Sequence, residues 1–287
     1  MSFENRIYRL TIHRLRRTAT EERFFVPLPE GIVISGLQIE ATIERTLARQ
    51  PNTCDIKIRN VAPATRAALQ RDGVVITLDA GHDGVARRLF SGDLNRCYSQ
   101  KDGTDWVTEI EATDGGRAFA FARVNRSFKS GATIIQVIRE AASSMGLELS
   151  KEVLASEELK QQFAAGFALN GRTRDELTRL LAPFGYGWSI QDGRLQILRD
   201  DEARDDVAKL VGQDQGMIGS PIFGNGAKKG DPPRRSVKML LYPELTPGGK
   251  VQVQSRQLEG LFRIQKVKHA LDFEGQEWST EIEVVQA

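Results

Sequence analysis

Apolar and polar residues alternate with a period of two in several stretches of the chain, which is the pattern of half-buried strands in an antiparallel sheet. The clearest stretches are residues 74–79, 251–254, 106–111 and 278–283. Turn sequences follow the first two stretches, at 81–84 and 258–260. Gly103 and Gly275 lie where tight hairpin turns are expected, because glycine accepts a positive φ at no steric cost. The pattern predicts a protein built mainly from antiparallel strands.

An internal repeat links the two halves of the chain. The sequence DGTDWVTEIE at 102–111 returns as EGQEWSTEIE at 274–283, an offset of 172 residues. Residues 89–111 align without a gap on 261–283, with eight identities in twenty-three positions. We interpret the repeat as a duplicated strand–strand–hairpin module.

The repeated last strand has two faces, because side chains alternate across a strand. In the first copy Trp106, Thr108 and Ile110 point to one side, and Glu109 and Glu111 to the other. The matching residues of the second copy are Trp278, Thr280 and Ile282 on the first side and Glu281 and Glu283 on the second. The apolar side is predicted to be core, with Trp106 and Trp278 in equivalent buried positions, and the carboxylate side to be exposed.

The segment between the copies has a helical period. Apolar residues from Ile134 to Met145 mark one face of a helix. Thr133 with Gln136 fits a capping box at its start, and Gly146 fits its end. A helix over about 134–145 is predicted.

A second helix and a hairpin are predicted after it. The helix carries Leu177, Leu180 and Leu181, with Thr173 and Glu176 as a second capping box and an end at 183–185. Residues 186–198 form the hairpin, because Asp192-Gly193 has strong turn chemistry. The segment is therefore predicted to be a small α+β insert.

The fold class predicted is mixed and mainly β: two similar antiparallel β-barrel modules with the α+β insert between them. The predicted domains are residues 1–126 for the first module, 127–204 for the insert, and 205–287 for a loop and the second module. The loop is the glycine-rich stretch 213–235. Its Gly224, Gly226, Lys228 and Lys229 suggest phosphate binding, but two prolines follow where a phosphate loop opens a helix, which favours a plain loop.

Composition narrows the function classes. Hydrophobic residues at 40% and charged residues at 27% are typical of a soluble globular protein, and a net charge of +2 indicates neither general nucleic-acid nor membrane binding. The arginines near the start are predicted to lie on a solvated strand face, with an acidic partner surface as the alternative; they are Arg6, Arg9, Arg14, Arg16 and Arg17. No apolar run has the length of a signal peptide or a membrane span, so secretion by the usual route is not expected.

Catalytic chemistry is weakly signalled. Glu109 with Glu111, and Glu281 with Glu283, lie about 7 Å apart on their strand faces, a spacing open to glycoside hydrolysis. Each pair recurs together with its neighbouring core residues, which favours an architectural role. We expect a protein that is not an enzyme.

Metal and redox sites are not indicated either. His13, His82 and His269 are far apart in the sequence, with no acidic or cysteine cluster nearby. Cys54 and Cys97 lack metal-like spacing and are too few for a disulfide framework, so both are expected to be reduced thiols. No cofactor and no metal are predicted.

Several short motifs together resemble the baseplate hub proteins of contractile-tailed phages. They lie at 102–111, 123–128, 186–190, 216–221, 247–249 and 277–283. The resemblance covers nearly the whole chain from about Val74. It implies two tail-tube-like β-barrel domains in one chain and a homotrimeric ring with quasi-sixfold symmetry. That ring would be a virion structural protein, a symmetry adaptor that joins a sixfold tail tube to a threefold central spike.

The resemblance also implies partners and a location. The tail tube or a distal tail protein would lie above the ring, the spike below it and other baseplate proteins around it, in a virion tail baseplate assembled in the host cytoplasm. DNA would pass through the channel without specific binding, and no membrane is involved. The duplication agrees, because three chains with two modules each present six similar faces.

Two questions stay open at this level. Glu109, Glu111, Glu281 and Glu283 face either the channel, as a band of negative charge, or the outer surface. The alternative function is a β-barrel protein that binds oligosaccharide or nucleic acid. That function would need exposed aromatic residues interleaved with basic ones.

Overall fold

The computed structural model describes residues 5–16, 26–27, 31–199, 202–204, 207–224 and 233–286. The fold is mixed and mainly β, as predicted. In the first half of the chain the strands are β1 (Arg6–Arg16), β2 (Val26–Pro27), β3 (Ile32–Ile34), β4 (Ile39–Thr46), β5 (Thr53–Arg59), β6 (Val74–His82), β7 (Val85–Asp102), β8 (Asp105–Thr113) and β9 (Arg123–Phe128).

The remaining strands are β10 (Glu148–Leu149), β11 (Phe167–Arg172), β12 (Tyr186–Gln191), β13 (Arg194–Arg199), β14 (Lys209–Gly212), β15 (Ile222–Gly224), β16 (Arg234–Leu240), β17 (Lys250–Gln254), β18 (Glu259–Asp272) and β19 (Trp278–Gln286). The helices are α1 (Pro63–Leu69), α2 (Gly116–Phe121), α3 (Ile134–Met145), α4 (Lys151–Ala155) and α5 (Thr173–Leu181). Among the described residues, no helix is long and apolar enough to cross a membrane.

One hydrogen-bonded sheet runs through both halves of the chain, in the order β15-β16-β19-β18-β4-β5-β8-β7-β6-β1-β2. The same four-strand unit occurs twice in it, as β4-β5-β8-β7 and as β15-β16-β19-β18. The two units meet where β18 pairs with β4, antiparallel, over seven residue pairs from Lys266↔Thr46 to Asp272↔Glu40. The duplicated modules are therefore joined edge to edge within one chain.

Buried side chains form three clusters. The first lies under β1 to β8, the second contains α3, α5, β12 and β13, and the third lies under β14 and β16 to β19. Three residues from the second half of the chain, Leu241, Leu271 and Trp278, belong to the first cluster. The domain limits at 126/127 and 204/205 stay a prediction.

Local signals in the insert were accurate at the first helix and at the hairpin. The Thr133 hydroxyl accepts the Gln136 N–H (3.3 Å), the Gln136 side chain accepts the Thr133 N–H (3.0 Å), and α3 ends at Gly146 with φ 67°. The β12–β13 hairpin turns at Asp192 and Gly193, with φ of 53° and 73°. Both features depend on neighbouring residues alone, which explains why the sequence predicts them.

The second capping box was wrong. Helix α5 already includes Thr173, so it begins one residue earlier than a capping threonine at that position requires; Arg172 is the cap residue, and no side chain caps the helix. The Thr173 hydroxyl instead lies 2.8 Å from the Ser144 hydroxyl, and Glu176 pairs with Arg179 at 2.5 Å. The leucines of the predicted face, Leu177, Leu180 and Leu181, are buried as expected.

The loop predicted for 213–235 was also wrong in part. Strand β15 lies within it and pairs with β16, which already begins at Arg234. A strand of three residues leaves too little alternation to be recognised among glycines. The phosphate-loop candidates Gly226, Lys228 and Lys229 lie outside the described residues.

The strand register corrects the gap-free alignment of the repeat. β8 and β19 keep the offset of 172, since Ile110 and Ile282 are opposed to Ile56 and Val237 respectively. On β7 and β18 the bulges fall at Asn95 and Gln265, an offset of 170. The second hairpin turn is two residues longer and absorbs the difference.

Candidate functional surface

All four predicted glutamates lie on one face of the shared sheet. Glu109 and Glu111 project from β8, where Thr108 and Ile110 are buried on the opposite face. Thr280 and Ile282 of β19 are buried in the same way. Glu281 and Glu283 of β19 are both partly exposed. The predicted alternation holds over 108–111 and 280–283, and it fails at the start of β8, where Trp106 is exposed and Val107 buried. The β18–β4 junction makes the two carboxylate pairs parts of one continuous surface, here called the carboxylate face.

The first carboxylate pair is interleaved with cations. Glu109 is opposite Lys57 on β5 and opposite Tyr98 on β7, whose hydroxyl donates to the Glu109 carboxylate. Glu111 is opposite Arg96, with the guanidinium 3.4 Å from a carboxylate oxygen. The hydrogen bond to Glu109 raises the pKa of Tyr98, because it favours the neutral phenol.

The second pair has the same arrangement. Glu281 is opposite Lys238 on β16 and Lys268 on β18. Glu283 is opposite Lys266 and lies 3.8 Å from the Arg234 guanidinium. Each of the four carboxylates thus has a cationic neighbour on an adjacent strand. The surface is charge-mixed rather than a plain negative band.

Asp55 lies between the two pairs on the same face, opposite Thr42 of β4 and Glu111 of β8. Burial raises its pKa, and the charges of Glu111 and Glu44 raise it further. Carboxylates therefore lie close enough to repel one another near the module junction.

Trp278 closes the junction between the modules. It is 1% exposed and packs in the first cluster beside Phe273 and His82, at ring-centroid distances of 6.2 and 6.4 Å. The Arg6 guanidinium lies 5.5 Å from its ring centroid and donates to the carbonyls of Asp272 (2.8 Å) and Gly275 (2.6 Å). Arg6 therefore binds the second module rather than lying on a purely solvated strand face.

Trp106 corrects the prediction of two equivalent buried tryptophans. It lies on the equivalent strand, after the equivalent hairpin, but 39% of its surface is exposed. Among the described residues, its ring contact is with the Arg66 guanidinium, which lies 3.9 Å from the ring centroid. The two tryptophans differ in position: Arg6 and His82 of the first module lie against Trp278, whereas the described ring contact of Trp106 comes from its own module.

A buried polar network fastens the insert to the first module, and the sequence did not predict it. Asp114, 3% exposed, accepts the N–H groups of Asp192 (2.6 Å) and Gly193 (3.0 Å) at the hairpin turn. Arg45 pairs with Asp192 at 2.6 Å, and the Asn52 amide donates to the carbonyl of Ile190 at 2.9 Å. Burial raises the pKa of Asp114 to about 6, the charge of Asp192 adds to the rise, and Arg45 opposes it. The only sequence signal would have been a polar cluster, Asp114 followed by two glycines, where a strand ends.

The histidines and cysteines do not converge. His269 is fully buried beside the Thr280 hydroxyl (2.9 Å), and burial lowers its pKa to about 3. Cys54 is buried and Cys97 partly buried, both as free thiols. Within the described ranges, no three potential ligands group as a metal site would require.

A cavity of about 400 Å³ opens between the insert hairpin and β18. Several cations line it and have partners within the chain: Lys266 lies 2.9 Å from Glu44, and Arg263 donates to the carbonyls of Arg199 and Glu202. These contacts join segments of the chain to one another. We assign the cavity no ligand.

Solved structures resemble the whole of this architecture. The chain superposes on the 43 kDa tail protein of prophage MuSo2 from Shewanella oneidensis with a TM-score of 0.65 and 13% identity, covering 97% of this chain and 98% of that one. A tail protein from Neisseria meningitidis MC58 gives a TM-score of 0.63 at 9% identity, with 96% of each chain covered. The chain has the fold of phage tail proteins.

The fold is shared more widely. A chain of the Francisella PdpA–VgrG complex matches with a TM-score of 0.62 and 9% identity over 98% of this chain and 58% of that one. No protein-family profile and no curated protein sequence matches the chain. At such low identities the likeness concerns the fold, and function has to be argued from the surfaces of this chain.

Proposed function

We propose that the chain is a structural hub of a phage tail or related contractile injection particle. Three copies form a ring with pseudo-sixfold symmetry that joins a sixfold tail tube to a threefold central spike and continues the channel. The role is mechanical and non-enzymatic. In the virion baseplate, the tube or a distal tail protein lies above the ring, the spike lies below, and other baseplate proteins surround it.

One observation carries the proposal: the same four-strand unit occurs twice in one chain, and the two copies are joined edge to edge in one sheet. Three such chains present six similar units to a sixfold partner. The same three chains match a threefold partner one to one. The tail-protein fold supports the same reading. A lone binding domain has no comparable need for duplication.

Copy counting tests this function. In purified particles that contain the protein, we expect three copies for each tail end, by quantitative mass spectrometry against the known stoichiometry of the tube rings. Electron microscopy of the same particles should locate the density at the junction of tube and spike. Six or twelve copies for each tail end would contradict the adaptor role.

The same purified chain separates the alternative function. A monomer that binds oligosaccharides or single-stranded nucleic acid with a defined affinity would favour a β-barrel binding protein. We expect no such binding. A face that binds nucleic acid presents several aromatic residues among cations. The carboxylate face instead alternates anions with cations, with Tyr98 as an aromatic residue among them.

We propose further that the carboxylate face lines the channel. Passing DNA would then lie beside a wall of mixed charge. Its carboxylates would repel the phosphates and so weaken the binding that the cations alone would cause. Lysine at positions 109, 111, 281 and 283 should leave particles able to assemble but slow DNA ejection, most at low salt, where screening is weakest. Glutamine at the same four positions is the matched control, and we expect it to slow ejection less. Normal ejection by correctly assembled lysine particles would contradict the channel position.

A further inference from the structure

The junction inside the chain offers a template for contacts outside it. At that junction the second half of β18 pairs with β4, in the register Lys268↔Glu44, His269↔Ile43 and Ala270↔Thr42. His269 and Ile43 are fully buried there. Each of these two strands has an equivalent in the other four-strand unit: β7 corresponds to β18, and β15 corresponds to β4.

The first equivalent edge is the hairpin half of β7. The strand pairs with β6 only up to Asp93, so from Leu94 to Asp102 it pairs on one side, with β8, among the described residues. By the offset of 170 that the bulges define, Tyr98, Ser99 and Gln100 correspond to Lys268, His269 and Ala270. None of these three β7 residues is buried. This edge is open where its counterpart on β18 is covered.

The second equivalent edge is β15, the strand that corresponds to β4. Val237 corresponds to Ile56, because they oppose Ile282 and Ile110 respectively. Following the pairing one strand outward, Ile222, Phe223 and Gly224 correspond to Thr42, Ile43 and Glu44. In the described part of the chain β15 pairs with β16 alone. Ile222 is 66% and Phe223 53% exposed, a large apolar exposure for so short a strand.

We propose that β7 of one copy pairs antiparallel with β15 of a second copy, in the register Gln100↔Ile222, Ser99↔Phe223 and Tyr98↔Gly224. This inference deepens the proposed ring and rests on it for the number of copies. Because the contact joins two different edges, it is head-to-tail, and such contacts close into a ring when the rotation allows. Phe223 takes the buried position that Ile43 holds inside the chain.

Trp106 supports the proposal independently. Its counterpart Trp278 is covered by Arg6 and His82 of the other module. Trp106 lies opposite Lys101, next to the β7 residues with which the second copy would pair. Exposed edge strands with apolar residues are avoided in proteins that stay monomeric, because they template pairing with other chains. The two open edges and the open tryptophan are explained together if a second copy covers them.

Disulfide trapping tests the register in the purified full chain. Gln100→Cys with Ile222→Cys, in a Cys97→Ser background, places thiols on directly opposed residues, whose Cα atoms lie about 5 Å apart, within the range a disulfide bridges. The second native thiol, Cys54, is fully buried. Under mild oxidation we expect covalent dimers and trimers on non-reducing gels. The matched control is Gln100→Cys with Val33→Cys, an exposed valine on β3 (55%, against 66% for Ile222) that the proposed contact does not include.

The outcomes separate this register from the ring itself. Cross-linking of the matched pair no stronger than the control, in the pure chain and in particles, overturns the β7–β15 contact. Rings of three without that cross-link would overturn the β7–β15 contact and leave the hub function standing. A covalent ladder that runs past three copies would support the contact and contradict the ring of three. Phe223→Asp adds a charge at the position to be buried and should reduce the cross-linked fraction at least tenfold, while its circular dichroism and thermal midpoint stay those of the parent.

Discussion

The two tryptophans of the repeat occupy equivalent places on equivalent strands and have different surroundings. Trp278 is 1% exposed, with Arg6, His82 and Phe273 around it, whereas Trp106 is 39% exposed and stacked under Arg66. The strands that carry them have the same alternation. Burial at these positions is therefore set by what lies beyond the module rather than by the module itself.

The same contrast holds along β7 and β18. Val267, His269 and Leu271 are buried because β4 continues the sheet beside them. The corresponding β7 residues, Cys97, Ser99 and Lys101, lack that neighbour and are at most half-buried. Among the described residues, the duplication therefore leaves one strand edge covered and the equivalent edge open.

The largest expected effect separates the two tryptophans. Trp278→Ala should lower the free energy of unfolding by about 3–5 kcal/mol, because it leaves a cavity in a buried cluster. Trp106→Ala, the matched control, should cost about 1 kcal/mol, since it removes a half-exposed ring and one cation–π contact. Urea denaturation of the purified chain measures both. Equal losses would break the comparison.

His269 should make stability fall in acid. Its pKa is about 3 in the folded protein and near 6.5 when exposed, so the unfolded chain binds more protons between these values. The contribution is fully present above pH 6.5 and is lost as the pH falls, by about 2 kcal/mol at pH 5. His269→Leu should remove this dependence, measured by urea denaturation across the pH range. A variant with an unchanged pH slope would contradict the assignment.

Asp114 should act in the opposite direction and more weakly. Its pKa is raised to about 6 in the folded protein, so the folded state holds the proton where the unfolded state, near 3.8, has released it. Its contribution favours folding at low pH and is lost as the pH rises through about 6, with a difference of about 1 kcal/mol between pH 5 and pH 7. Asp114→Asn should flatten that part of the profile. A steeper slope in the variant would show that the carboxylate is stabilised by the turn N–H groups more than burial penalises it.

The smallest effect concerns the carboxylate face. Glu281→Gln should change the free energy of unfolding by less than about 0.5 kcal/mol, because exposed cross-strand ion pairs are weak. Glu281→Lys places a cation opposite both Lys238 and Lys268 and should cost about 1 kcal/mol, less in high salt. Salt-dependent denaturation distinguishes the two. Equal, salt-independent effects would mean that the face does not present its charges to solvent.

Much of the chain could be predicted because its signals are local. The capping box at Thr133 and Gln136, the Asp192-Gly193 turn and the two faces of β8 and β19 depend on residues a few positions apart. Failures arose where local patterns compete with tertiary contacts. The box at Thr173 and Glu176 lost its partners to Ser144 and Arg179.

The candidate surface could be predicted in composition but not in assembly. The sequence indicated that Glu109, Glu111, Glu281 and Glu283 are exposed, because a strand period assigns each side chain to a face. The continuity of that face depends on β4, which pairs with a strand more than two hundred residues later and left no signal near itself. The clamp of Asp114 on the insert hairpin was missed for the same reason.

By itself the sequence determined the mainly β class, the duplication and the alternation that separates carboxylates from core, since backbone geometry converts residue spacing directly into faces. The tertiary structure decided which copy of the repeat is covered, how the two units share one sheet, and which edges remain open. Those outcomes depend on pairing between distant strands. Hydrogen bonds along a strand edge accept many sequences, so the choice of partner follows from the packing of the whole chain.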